Sequence, residues 1–281
     1  MKLLITGAKG QMGRALNKLL KNKAGYQLVL TDLDEMDITD EKDVVRVMTA
    51  EKPDVVINCA AHTKVDLCED DTENAYMINV TGAGNLSKGA AKIGAKIVHL
   101  STDYIFDGEA TTPYLEESEP NPQSVYGETK LESEYAVTEN NPKYFIVRTA
   151  WLYGEGNNFV NTMLRLANTQ NEIRVVNDQT GSPTSATEVA RVIAMLIETE
   201  AYGVYNAVCE GQCTWYDFAK RIFELAGLDV KVSPCTSLQY VTRAKRPKYS
   251  VLDNKNLREK FGYHLQPWDD ALREYFAGRH N

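Results

Sequence analysis

The chain has 281 residues, 43% of them hydrophobic and 25% charged, and a formal net charge of −8. This length suits one large domain with an appended lobe, or two modest domains, with enough apolar residues to bury a substantial core. There is no basic run, so a nucleic-acid partner, which needs clustered Lys and Arg, is not expected. No apolar stretch reaches the length of a membrane span, and the run after Met1-Lys2 is too short for a signal peptide, so a cytoplasmic location is expected.

Lys2–Thr6 is a short apolar strand ending at Gly7, and Gln11–Lys23 has helical spacing through Met12, Ala15, Leu16, Leu19 and Leu20. Gln27–Thr31 is a second strand and Glu41–Ala50 a second helix. Asp54–Asn58 follows Pro53 as a third strand, Ala75–Ile93 is a helix rich in small residues, and Lys96–Leu100 and Tyr144–Arg148 are further strands. Between those last two, Thr111–Gln123 is an acidic loop and Val125–Val137 a helix. These strands are near-continuous apolar runs, as parallel strands covered on both faces require. The predicted fold is α/β: a Rossmann-type, doubly wound parallel sheet over residues 1–150, whose chain re-enters later.

Residues 151–281 lose the regular alternation. Helices are expected at Asn158–Ala167, Thr187–Glu198 and Trp215–Ala226, with short strands at Ile173–Val176 and Val204–Asn206. This half is read mainly as a smaller α+β substrate-binding lobe. The five cysteines are scattered; Cys209 and Cys213 have neither a second pair nor a nearby His, so no zinc site is expected.

Ligands of a doubly wound sheet bind at the carboxyl ends of its strands. Gly7, Gly10 and Gly13 follow the first strand and open the first helix, with Gln11 and Met12 between them. Such a turn lets the backbone approach a pyrophosphate, which then meets free N–H groups at a helix N-terminus. Asp32 lies about 20 residues on, where an acidic side chain bonds the adenosine ribose 2′-OH and repels a 2′-phosphate. The expected cofactor is therefore NADH, with NADPH as the alternative. Asp37 and Ile38 are candidates to lie against the adenine.

Tyr126 and Lys130 stand four apart on one helical face. A nearby ammonium is expected to lower the phenol pKa and make Tyr126 a proton donor to a developing alkoxide. Tyr216/Lys220 has the same spacing but lies in the second lobe and is read as a surface pair. Thr102, just after the fourth strand, can bond the same oxygen that Tyr126 protonates.

With these features, the strings Ala60–Asp66, Ser101–Gly108, Val125–Leu131, Arg148–Tyr153, Asn177–Thr184 and Thr214–Tyr216, and Arg246-Pro247 with Ser250 and Leu252, resemble the extended short-chain dehydrogenase/reductase family. The finer resemblance is to its dTDP-4-dehydrorhamnose reductases, nearly end to end. It implies hydride transfer from a nicotinamide to the C4 ketone of a dTDP-keto-sugar, dTDP-4-dehydro-6-deoxy-L-mannose, with Tyr126 as proton donor. By matched position it implies cofactor contacts from Gly10, Gln11, Met12, Asp37, Ile38, Ala60, Ala61, His62, Thr63 and Asn79. Thr102, Asp103, Tyr104 and Trp151 would contact the sugar. Some relatives link dimers through magnesium at an acidic residue beside the glycine turn. Here Gly13-Arg14-Ala15 has no carboxylate, so no metal is expected; Glu188 is a candidate interface residue, and a homodimer stays open. The rivals are a nucleotide-sugar epimerase or dehydratase and a non-catalytic dinucleotide-binding subunit. Thr102 is followed by Asp103-Tyr104 rather than the Asp-Glu of dehydratases, and a pure binder has no need of Tyr126.

Overall fold

In a computed structural model, described for residues 1–279, six parallel strands form the central sheet. In chain order the first half runs β1 (Lys2–Thr6), α1 (Gln11–Leu20), β2 (Gln27–Leu30), α2 (Glu41–Glu51), β3 (Val55–Asn58), α3 (Val65–Asp70), α4 (Thr72–Tyr76), α5 (Gly82–Lys92), β4 (Lys96–Thr102), α6 (Val125–Asn140) and β5 (Tyr144–Thr149). The second half runs β6 (Leu152–Tyr153), α7 (Phe159–Ala167), β7 (Glu172–Val176), β8 (Thr180–Gly181), β9 (Thr184–Ser185), α8 (Ala186–Leu196), β10 (Gly203–Asn206), β11 (Cys213–Thr214), α9 (Trp215–Ala226), β12 (Lys231–Cys235), α10 (Lys255–Phe261) and α11 (Trp268–Ala277).

The sheet order is β2-β1-β3-β4-β5-β10, all parallel. Successive strand residues point to opposite faces, and each face has its own core. Leu3, Ile5, Val55, Ile57 and Val147 pack with Leu16 of α1 and Val189 and Ile193 of α8. Leu4, Val56, Ile97 and Ile146 pack with Val44 of α2 and Leu86 of α5. This two-sided burial is why the strands read as unbroken apolar runs, and each such side chain contributes about 1.5–3 kcal/mol. Strand order reverses between β1 and β3, and their carboxyl ends frame a crevice.

After β6 the chain builds the lobe, returns to the sheet for α8 and β10, resumes the lobe with β11, α9 and β12, packs α10 beside β10 on the sheet core, and ends in the lobe with α11. The lobe core joins Val160 and Met163 of α7, Phe218 and Ile222 of α9, and Leu272 and Phe276 of α11. Its strands β7 and β12 pair in parallel as a separate two-stranded ribbon. Pro234 in β12 lacks a donor and is tolerated because the ribbon has only edges. The predicted helix at Ala75–Ile93 begins earlier, at Thr72, and is interrupted by a π-helical segment at Met77–Thr81 that aims Asn79 inward.

Candidate active site

A cleft of about 1100 Å³ runs from the glycine turn to the lobe. That exceeds the roughly 300–1,000 Å³ of a single small-molecule site, leaving room for more than one ligand. At the turn, Gly7 has φ +59°, and a Cβ there would lie 2.8 Å from the Ala60 nitrogen. A Cβ on Gly13 would sit 2.5 Å from Ala8 Cα and from the Gly7 carbonyl oxygen, so this glycine lets α1 pack onto the turn. At Gly10 a Cβ meets only the Gly7 oxygen, at 3.1 Å. No side chain caps α1, so its first N–H groups stay available to an anion. This cradle fits a dinucleotide pyrophosphate.

Gly7, Gly10, Gln11, Met12, Asp32, Asp37, Ile38, Ala60, Ala61 and Thr63 all line the cleft. So do Thr102, Asp103, Tyr104, Tyr126, Lys130 and Trp151. Gly13, His62 and Asn79 are not among its lining residues. Asn79 accepts the His62 N–H at 2.7 Å and donates to Thr129 Oγ1 at 2.9 Å, pinning the segment after β3 to α6. The His62 ring turns to Cys68 Sγ at 2.9 Å. The Asp32 carboxylate accepts the backbone N–H of Lys9 at 3.0 Å and of Leu33 at 3.1 Å. Lys9 Nζ pairs with Asp34, and Arg14 Nε donates to the Lys9 carbonyl; both cations line the same end of the cleft.

Ser124 caps α6 by accepting the Gly127 N–H at 3.1 Å, and the Val125 N–H reaches Glu69 Oε1 at 2.9 Å. Gly127 is required because a Cβ there would collide with the Tyr104 carbonyl oxygen. The helix thus meets the turn after β4 closely, and the Tyr126 and Tyr104 rings lie 5.4 Å apart, edge to face. Lys130 is buried; its Nζ donates to the Leu100 carbonyl at 2.6 Å and lies 3.2 Å from His99 Nε2. A buried polar chain stands behind it. Thr6 Oγ1 donates to Asn58 Oδ1 at 2.7 Å, and the Asn58 amide donates to His99 Nδ1 at 3.0 Å. With Nδ1 accepting, Nε2 carries the proton and donates to Ser133 Oγ at 2.8 Å. The His99–Lys130 approach is therefore a contact and not a hydrogen bond. Burial, reinforced by the Lys130 charge, holds His99 well below the usual imidazole range.

The Lys130 ammonium does not pull the Tyr126 phenol down, contrary to the expectation from spacing. Burial pushes that phenol above its ordinary value, partly opposed by the neighbouring Thr102 hydroxyl, while burial pushes Lys130 down to about 8. The physical reason is that Nζ is turned to the strand carbonyl and desolvation dominates at both groups. Tyr126 is consequently fully protonated at neutral pH, as a donor must be. Tyr216/Lys220 forms a local cation–π contact at 5.2 Å in the lobe.

Trp151 has φ +47°, a strained conformation for a non-glycine residue, and its Nε1 donates to Ser250 Oγ at 3.1 Å. One face of its indole stacks on Trp215 at 3.4 Å, and Gly181 packs against the ring so closely that a Cβ there would collide with Cε2, Nε1 and Cζ2. Arg246 was legible only as part of a string. It reaches the cleft from the far end of the chain, donating to Tyr104 Oη at 2.9 Å and Asp66 Oδ2 at 2.7 Å. Glu188 is buried and accepts from Arg191 and from the Gln266 N–H within the chain. Among the described residues, no group of three or more His, Cys, Asp or Glu is placed to hold a metal ion.

The reversed parallel sheet, the uncapped glycine turn and the Tyr126/Lys130 pair define a protein of the short-chain dehydrogenase/reductase class. The family model for the RmlD substrate-binding domain matches residues 1–280. The chain is 40% identical to the spore coat polysaccharide biosynthesis protein SpsK of Bacillus subtilis, covering 99% of this chain and 98% of that protein. It superposes on the crystal structure of a dTDP-4-dehydrorhamnose reductase from Clostridium acetobutylicum with a TM-score of 0.98, at 51% identity and full coverage of both chains. A dTDP-4-dehydrorhamnose reductase from Bacillus anthracis in complex with NADP gives a TM-score of 0.97 at 41% identity, covering 99% of each chain. The chain belongs to the dTDP-4-dehydrorhamnose reductase family.

Proposed function

We propose that the chain is a reductase that uses a reduced nicotinamide dinucleotide to convert the C4 ketone of dTDP-4-dehydro-6-deoxy-L-mannose into the alcohol of dTDP-L-rhamnose. The observation that carries this reading is the gathering of Thr102, Tyr126 and Lys130 in one cleft with the uncapped glycine turn. The names of the relatives support the substrate. When bound, the cofactor supplies the hydride. The turn holds its pyrophosphate, and Lys130, with protons to spare beyond its bond to Leu100, holds the nicotinamide ribose. Tyr126 delivers its phenolic proton to the C4 oxygen as negative charge develops there, and Thr102 donates a hydrogen bond to that oxygen. Trp151, at the wall of the cleft, contacts the hexose.

For the adenosine end, Asp32 takes the ribose 2′-OH and favours NADH. Lys9 and Arg14 beside it supply the positive charge a 2′-phosphate needs, and the B. anthracis relative is in complex with NADP. Both cofactors are therefore expected to serve, NADH the better. No helix among the described residues is long and apolar enough to cross a membrane, and the proposed location is cytoplasmic. The test is incubation with the dTDP-keto-sugar and reduced cofactor. Stoichiometric cofactor oxidation with formation of dTDP-L-rhamnose supports the reductase. Sugar conversion without net oxidation would make it an epimerase, and tight cofactor binding without any turnover would make it a binding subunit.

A further inference from the structure

Thr102 has one hydroxyl proton, and in the structure that proton is already committed. Its Oγ1 donates to Asp103 Oδ1 at 2.9 Å and accepts the Tyr104 N–H at 3.3 Å. In that state Thr102 has a lone pair left but nothing to donate, so it cannot bond a developing alkoxide. The geometry points to Asp103 as a positioning residue that sets the direction of the Thr102 hydroxyl: neutral Asp103 donates to Thr102 and frees the Thr102 proton for the reacting oxygen, whereas ionised Asp103 takes that proton for itself. This rests on the reading above, in which Thr102 meets the C4 oxygen.

Three observations favour a carboxyl that changes state. Asp103 is 3% exposed, and its Oδ2 has no hydrogen-bond partner among the described residues, an arrangement costly for a carboxylate and easy for an acid. Among the described residues no Lys, Arg or His is hydrogen-bonded or ion-paired to it. The groups facing it are Thr102 and the Tyr104 phenol from its own turn, the Tyr126 phenol from α6 and the Ser250 hydroxyl from the opposite segment; Arg246 stands beyond Tyr104, bonded to its hydroxyl. The Ser250 oxygen is itself engaged by Trp151 Nε1. Burial raises Asp103 to about 6, opposed by the Thr102 hydroxyl, the nearby Ser250 hydroxyl and the backbone. The proton count closes without net transfer at Asp103: Tyr126 gives its proton to the alkoxide, Thr102 donates a hydrogen bond only, and Asp103 keeps its proton throughout.

The test is the pH dependence of the single-turnover reduction rate with the dTDP-keto-sugar, read beside an infrared titration of the protein alone. The wild-type rate should fall by about tenfold or more as pH rises through about 6, since one donor to an oxyanion is worth up to 10²–10³. Asp103→Asn, whose amide can donate at every pH, should lose this limb, and so should Thr102→Val, because Asp103 acts only through Thr102. Thr102→Ser should keep it. The infrared band of a neutral carboxylic acid should titrate over the same range and be missing from Asp103→Asn. A limb that persists in Asp103→Asn or in Thr102→Val, or an Asp103 ionised down to pH 5, overturns the proposal. Failure of the wild type to reduce any dTDP-keto-sugar would instead overturn the functional reading, and the infrared titration would still decide the state of Asp103.

Discussion

Gly127→Ala separates position from chemistry at the proton donor. Replacing glycine by alanine inside a helix ordinarily stabilises by about 1 kcal/mol. Here the new methyl would collide with the Tyr104 carbonyl oxygen and lie 3.0 Å from its carbonyl carbon and 3.2 Å from Pro122 Cβ. Carbon atoms settle at about 3.5–4.0 Å, so α6 must withdraw by roughly 0.5–1 Å. Overpacking of this kind costs about 1–3 kcal/mol, which offsets or exceeds the helix gain. The kinetic effect is larger, because Tyr126 is the adjacent residue and a displacement of about 1 Å at a reacting group costs roughly a hundredfold. Steady-state kcat on the dTDP-keto-sugar should therefore drop by about tenfold to a hundredfold, with cofactor affinity nearly unchanged. Urea unfolding should show equal or lower stability. A variant that is more stable by about 1 kcal/mol and fully active would refute the claim that this contact sets the place of Tyr126.

Further outcomes follow from the same geometry. Lys130 carries its charge below about 8 and loses it as pH rises through that value, so cofactor affinity should weaken above about pH 8; equilibrium binding should show this limb in the wild type and not in Lys130→Met. Asp32→Ala should narrow the preference for NADH over NADPH, and Lys9→Ala should widen it, as ratios of kcat/KM report; no change in either ratio would remove both residues from the ribose. Glu134 and Arg148 form a buried ion pair at 2.7 Å with both side chains nearly inaccessible. Glu134→Gln should destabilise by about 3–5 kcal/mol in urea unfolding, since it strands a buried guanidinium.

The sheet was legible because burial on both faces leaves a simple trace, an unbroken apolar run such as Leu3-Leu4-Ile5 or Val55-Val56-Ile57. The glycine turn and the Tyr126/Lys130 spacing are likewise local patterns. What escaped sequence reading is made by contacts between distant segments. Arg246 meets Tyr104 across 142 residues, and the chain from Thr6 through Asn58 and His99 to Ser133 crosses three strands and a helix. His99 in the middle of an apolar strand was the one visible signal of that network. The two-residue strands β6, β8, β9 and β11 are too short to carry a period. Spacing also misled at Lys130: it places the ammonium on the helical face of Tyr126 but says nothing of the Leu100 carbonyl that claims it, or of the burial that raises the phenol.

Tyr126 as proton donor is the step on which the proposed reduction depends most directly. Turnover of dTDP-4-dehydro-6-deoxy-L-mannose with reduced cofactor should fall by about a hundredfold or more in Tyr126→Phe, while cofactor affinity measured by calorimetry stays close to the wild-type value. Unchanged turnover in that variant would contradict it.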